Sequence, residues 1–227
     1  MIMSSRWKHL KADADQALEY GNYQEAEMLW LKALDEIDPS QEGNVNVPLT
    51  YESLAEVLCH QGKYQDAEMW LSKSFQYRES CLQYEVDDFL RCMTNLYKVF
   101  FQTGKLDQAE ELLERILKII EDRDKTEHLA GCLLDMGKIN HIKGRLLDAE
   151  EYYLRSLVMK EGLLGEESLS VADSYFALAL LYDESGRLTE AEPLFEKCIK
   201  IREPQLGASH PEVIASLGAL ANLYKNS

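Results

Sequence analysis

The chain has 227 residues, 46% of them hydrophobic and 28% charged, which is enough apolar material for a sizeable core with an ordinary charged surface. Asp and Glu outnumber Lys and Arg by 40 to 24, for a net charge of −16. A surface of that sign repels phosphate backbones and anionic lipid heads, so no nucleic acid and no membrane is expected as a partner.

Charges at Arg6, Lys8, Lys11, Asp13 and Asp15 break any signal-like apolar stretch near the N-terminus. The longest apolar run, Tyr175 to Tyr182, is far short of the ~20 residues that cross a bilayer. The expected location is cytoplasmic. Cys59, Cys81, Cys92, Cys132 and Cys198 are odd in number, widely spaced and lack a C-x-x-C pair. That is the pattern of free thiols in a reducing compartment, not of a disulfide scaffold or a zinc site.

One string recurs along the chain. It appears first as Gly21-Asn-Tyr-Gln-Glu-Ala-Glu27 and then as Gly62-Lys-Tyr-Gln-Asp-Ala-Glu68. It returns from Gly104 to Glu110, from Gly144 to Glu150 and from Gly186 to Glu192, at glycine intervals of 41, 42, 40 and 42 residues. Near-constant spacing of this kind marks a repeat architecture. Upstream of each glycine lies an amphipathic helical pattern, such as Met93, Leu96, Tyr97 and Phe100. The glycine ends that helix in a left-handed residue, and a second helix starts within a few residues.

In chain order the predicted elements are hairpins at about 5–38, 48–80, 86–123, 126–162 and 169–204, then a single capping helix at 211–225. The first helix carries Asp13 and Ala14 where an apolar–small pair is expected, so it reads as an atypical N-terminal cap. Ala26, Ala67, Ala109, Ala149 and Ala191 share one position, which implies that two helices cross closely there. Asp107 and Thr189, the latter spaced from Glu192 as in a capping box, are the candidate helix caps. Pro193 is expected in the first turn after Thr189. The connectors at 39–48, 162–168 and 204–211 hold turn formers without low-complexity runs, so the expectation is one continuous domain.

These residues resemble the tetratricopeptide repeat. The features are the apolar–small pair of the first helix, the glycine with Tyr or Leu at the turn, and the alanine of the second helix. The spacing narrows the resemblance to the kinesin light chain-like type. It is clearest in Leu178-Ala-Leu-Leu-Tyr182, Gly186 to Phe195, Ile201-Arg-Glu203, His210-Pro211 and Leu220 to Tyr224. The resemblance implies an all-α right-handed superhelical solenoid of antiparallel hairpins, about eleven helices in all. It also implies that the first helices line a concave groove that binds a protein or peptide.

Chemistry of other kinds leaves no trace in the sequence. Phosphate-binding glycine motifs, a nucleophile elbow and paired H-x-x-x-H histidines are all missing, so the expectation is no enzyme, no cofactor and no metal. Glu110-Glu111 and Glu150-Glu151 open second helices, where negative charge favours the helix dipole. Cys92 and Cys132 occupy equivalent positions, but neighbouring hairpins stand ~8–10 Å apart, too far for a disulfide. Cys198 falls on a small core position.

By the resemblance, the groove positions of the third repeat include Arg91, Thr94, Lys98 and Phe101, and those of the fourth include Leu134, Lys138 and His141. These form a locally basic centre, with His141 adding charge when protonated. Glu52 and Glu56 lie on one side, and Asp173, Asp183 and Glu184 on the other. The expected ligand is a peptide with an acidic residue beside an apolar anchor. The clamp with which some family members grip chaperone tails is not reproduced: Lys11 and Asp15 hold its positions in the first repeat, and Glu52 and Glu56 in the second. Two other readings are a peptide-responsive sensor that changes superhelix shape and a module that self-associates through its C-terminal end.

Overall fold

The computed structural model describes residues 5–40, 43–80, 85–121 and 126–226; Cys81 lies outside the described residues. Among them are eleven α-helices and no strand. The helices are α1 Ser5–Glu19, α2 Tyr23–Asp35, α3 Asn46–His60, α4 Tyr64–Ser80, α5 Val86–Gln102 and α6 Leu106–Ile120. They continue with α7 Glu127–Ile142, α8 Leu146–Leu164, α9 Leu169–Glu184, α10 Leu188–Leu206 and α11 Pro211–Asn226. No described helix is long and apolar enough to cross a membrane.

The five turns are built alike. Gly21, Gly62, Gly104, Gly144 and Gly186 all have φ between 73° and 76°, the left-handed region that suits glycine. The next amide in each case donates back to a carbonyl five residues earlier, for example Lys105 to Phe100 at 2.8 Å and Arg187 to Tyr182 at 2.8 Å. These bonds satisfy carbonyls that the helix end would otherwise orphan.

The residue after each glycine is also the first acceptor of the second helix. The amides of Ala26, Ala67, Ala109, Ala149 and Ala191 donate to the carbonyls of Asn22, Lys63, Lys105, Arg145 and Arg187 at 3.0–3.1 Å. This corrects the expected caps. Arg187 is the N-cap of α10, and Asp107 and Thr189 fall inside their helices, because each helix starts two residues earlier than those caps would require. Pro193 therefore sits in the second turn, on the exposed side of α10.

Connectors are shorter than the sequence suggests. Helix α3 begins at Asn46 with Pro48 in its first turn, where a missing N–H costs little. Helices α8 and α10 run on to Gly165 and Gly207, with φ/ψ of 80°/155° and 86°/150°; this backbone region is essentially open to glycine alone.

The chain divides into two compact units, Met1–Ile116 and Leu117–Ser227. In the first, α1 packs on α2 and α3 on α4, while α2–α3 and α4–α5 contacts join successive hairpins. Trp7, Ala14, Ala26, Trp30, Ala33 and Leu54 are part of its core. In the second, α7 packs on α8, α9 on α10, and α11 on α10. Tyr153, Val171, Leu178, Leu181, Phe195 and Cys198 are central to that core. The five signature alanines are each 0% exposed, so the position read as small from the sequence is a core position in every repeat.

Candidate peptide-binding face

Residues assigned to the groove by the repeat phase are found on first helices of both units. In the first, α5 presents Arg91, Thr94, Lys98 and Phe101 at the spacing that places them on one face. Arg91 and Lys98 are exposed, and Thr94 and Phe101 half-buried. In the second, Lys138 and His141 of α7 are partly exposed, whereas Leu134 is 6% exposed and belongs to the core. Leu134 thus offers almost no surface to a ligand, because the apolar stripe of α7 turns it toward Tyr153 and Val171.

Local pairing uses up most of the charge that the sequence assigns to this face. Arg91 pairs with Asp88 at 2.8 Å and with Glu52 at 3.4 Å. Glu52, placed on the acidic flank by its repeat position, is only 6% exposed. It accepts hydrogen bonds from Arg78 Nε and Ser74 Oγ, both at 2.7 Å. Burial of a carboxylate is tolerable when it is paired and hydrogen-bonded in this way, so Glu52 is a core ion and not a groove acid.

In the second unit Lys138 pairs with Asp135 at 2.9 Å. His141 Nε2 donates to Glu184 at 2.8 Å, and Asp173 receives Arg202 at 2.5 Å. Among the described residues, Lys98 has no acidic partner.

The structure also shows what the sequence reading of the paired glutamates missed. Each signature glutamate that can be followed within a unit reaches the cation after the next turn glycine. Glu27 pairs with Lys63 at 3.0 Å, Glu68 with Lys105 at 2.5 Å and Glu150 with Arg187 at 2.8 Å. Burial pushes the Glu150 carboxyl up, but hydrogen bonds from Arg187 and Tyr182 outweigh it and hold its pKa below the ordinary value. Tyr182, buried and bonded to that carboxylate, is pushed up to about 12.

A second tie recurs ten residues apart. Arg78 meets Asp88, Lys160 donates to the Ser170 carbonyl, and Arg202 meets the Glu212 carboxylate and carbonyl. All three cations are buried, and each links a second helix to the first helix that follows it. The signal for both ties was in the sequence, as a basic residue one after four of the five glycines (Lys63, Lys105, Arg145, Arg187) and sixteen after three of them (Arg78, Lys160, Arg202).

No group of three metal-ligating side chains gathers among the described residues. Cys59, Cys92, Cys132 and Cys198 are free. Burial first, then the nearby Glu52 charge, pushes the Cys92 thiol up to about 12, which suits a packing role.

The family profile described as tetratricopeptide repeat matches residues 46–122 and 129–204. The chain belongs to the tetratricopeptide repeat family. Solved tetratricopeptide repeat structures share the fold. A Podosopora anserina protein with nearly identical TPR-like repeats, described as a kinesin light chain, matches at TM-score 0.74 and 20% identity, over 91% of this chain and 99% of that one. BtubC from P. vanneervenii matches at TM-score 0.68 and 18% identity, over 99% and 84%. MamA from Desulfovibrio magneticus RS-1 matches at TM-score 0.71 and 14% identity, over 90% and 99%. The search of curated proteins finds no match.

Proposed function

We propose that this tetratricopeptide repeat protein is a scaffold that holds a segment of a partner protein against its first-helix face, with α5 as the anchoring element. The supporting observation is Lys98: an exposed cation without an acidic partner among the described residues, one helical turn from the half-buried ring of Phe101, in a chain of net charge −16. A partner carboxylate would pair with Lys98, and an adjacent apolar side chain would cover Phe101. Apolar burial supplies most of the affinity in such contacts, and the charge sets orientation and selectivity.

Proteins of this family act in general as interaction scaffolds, and a binding role accounts for the face without any catalytic group. The experiment is affinity capture from native extract with wild type, Lys98→Glu and Lys138→Glu. Lys98→Glu is expected to lose the partner by about tenfold or more. Lys138→Glu, whose cation is already held by Asp135, should lose less. Capture undiminished by Lys98→Glu would refute the α5 anchor.

A further inference from the structure

We infer a second docking surface, on the outer side of α8, that receives a basic amphipathic helix from a partner protein. The five second helices can be compared position by position from their turn glycines. Three, ten and fourteen residues after the glycine, α8 carries Leu147, Leu154 and Val158. The second repeat has Gln65, Ser72 and Gln76 there, the third Asp107, Glu114 and Lys118, and the fifth Thr189, Glu196 and Lys200. In the first repeat only Leu31 is apolar, between Gln24 and Asp35. The hairpin therefore packs without apolar groups at these three places, and the core does not explain them.

Nor does the second unit cover them. Leu147 is 83% exposed, Leu154 40% and Val158 68%. At the C-terminal end of α8, Leu154, Val158, Met159 and Leu163 line a shallow groove of about 540 Å³ with Leu133 beneath. Large exposed apolar groups clustered in one place mark interaction surfaces more often than scattered ones do.

Shape and charge select the occupant. The spacing i, i+7, i+11 puts the three side chains in one stripe, about 16 Å long at the α-helical rise, which matches two to three turns of a helix laid alongside. Glu151 stands inside that stripe and Asp148 beside it, both exposed and without a cationic partner among the described residues. The neighbouring cation, Arg155, is held by Glu121 at 2.7 Å. The stripe therefore asks for apolar residues flanked by Lys or Arg. A second copy of this chain would instead bring Glu151 and Asp148 against carboxylates of its own kind, at a net charge of −16 per copy.

The test uses the full chain and two synthetic probes, a Leu/Lys amphipathic helical peptide and its Leu/Glu counterpart, in fluorescence anisotropy at physiological ionic strength. Wild type should bind the Leu/Lys peptide about tenfold or more tightly than the Leu/Glu one. The triple variant Leu147→Gln, Leu154→Ser, Val158→Gln installs the second repeat's residues and should keep its melting temperature while losing most of that binding. The single change Glu151→Lys should weaken the Leu/Lys peptide and strengthen the Leu/Glu one. Lys98→Glu should leave the affinity for the Leu/Lys peptide unchanged, which separates this surface from the α5 face, where the acidic Leu/Glu peptide would be the one to respond. Equal binding of the Leu/Lys peptide by wild type, the triple variant and Glu151→Lys overturns the proposal. So does sedimentation of wild type as a dimer that the triple variant abolishes, since a second copy would then be the occupant.

Discussion

Helix α7 contains two glycines for which the structure dictates opposite responses to the same substitution. Gly137 lies under the ring of Tyr153: a Cβ built there meets Cδ1 at 2.4 Å and Cε1 at 2.5 Å. Carbon atoms rest at about 3.5–4.0 Å, so the ring would have to retreat by about 1 Å. Tyr153 is 2% exposed, and its hydroxyl lies 3.4 Å from His141 Nδ1, which leaves it little room to move.

Overpacking of this kind costs about 1–3 kcal/mol. Replacing glycine by alanine inside a helix returns roughly 1 kcal/mol. Gly137→Ala should therefore destabilise by up to about 2 kcal/mol, and thermal melting should fall by roughly 2–4 °C for each kcal/mol lost. At Gly131, one and a half turns earlier, nothing lies within 4 Å of the added Cβ. Gly131→Ala should accordingly stabilise by roughly 1 kcal/mol. Melting followed by circular dichroism for both variants, and for Gly137→Ala in a Tyr153→Leu background, checks the reasoning. A rise in melting temperature for Gly137→Ala with Tyr153 intact would refute it, because the ring would then be free to yield.

Two further outcomes follow from the charge network. Arg78→Met should cost about 3–5 kcal/mol by stranding the buried Glu52 carboxylate, and Arg78→Met with Glu52→Leu should recover most of that loss in denaturant melts. The pKa of Glu150 is lowered on folding from its ordinary 4.5. Its contribution to stability is therefore complete above about pH 4.5 and disappears as pH falls through the lowered value. Melting temperatures of wild type and Glu150→Gln should differ at neutral pH and converge in acid; a constant gap down to the acid limit would show that the Arg187–Glu150 contact does not titrate with folding.

Much of the architecture was determined by sequence alone, because it rests on local rules repeated five times. A glycine whose φ must be positive, an alanine that must be small and an apolar period of 3.6 are properties of single helices and turns, and each hairpin follows from them. Element boundaries were less legible. Gly165 and Gly207 end their helices outside the repeated string, and the caps at Arg187 and Lys105 are long cations that no capping preference singles out.

The candidate face was decided by tertiary structure. Repeat phase correctly names which residues occupy first helices, yet it is silent on whether a charge there meets another charge or solvent. Glu52 and Leu134 sit at phases assigned to the groove but are buried, whereas Lys98 at the same kind of phase is free of acids. The difference comes from side chains contributed by neighbouring helices, such as Arg78 and Ser74 around Glu52, and these distances exist only once the hairpins are stacked.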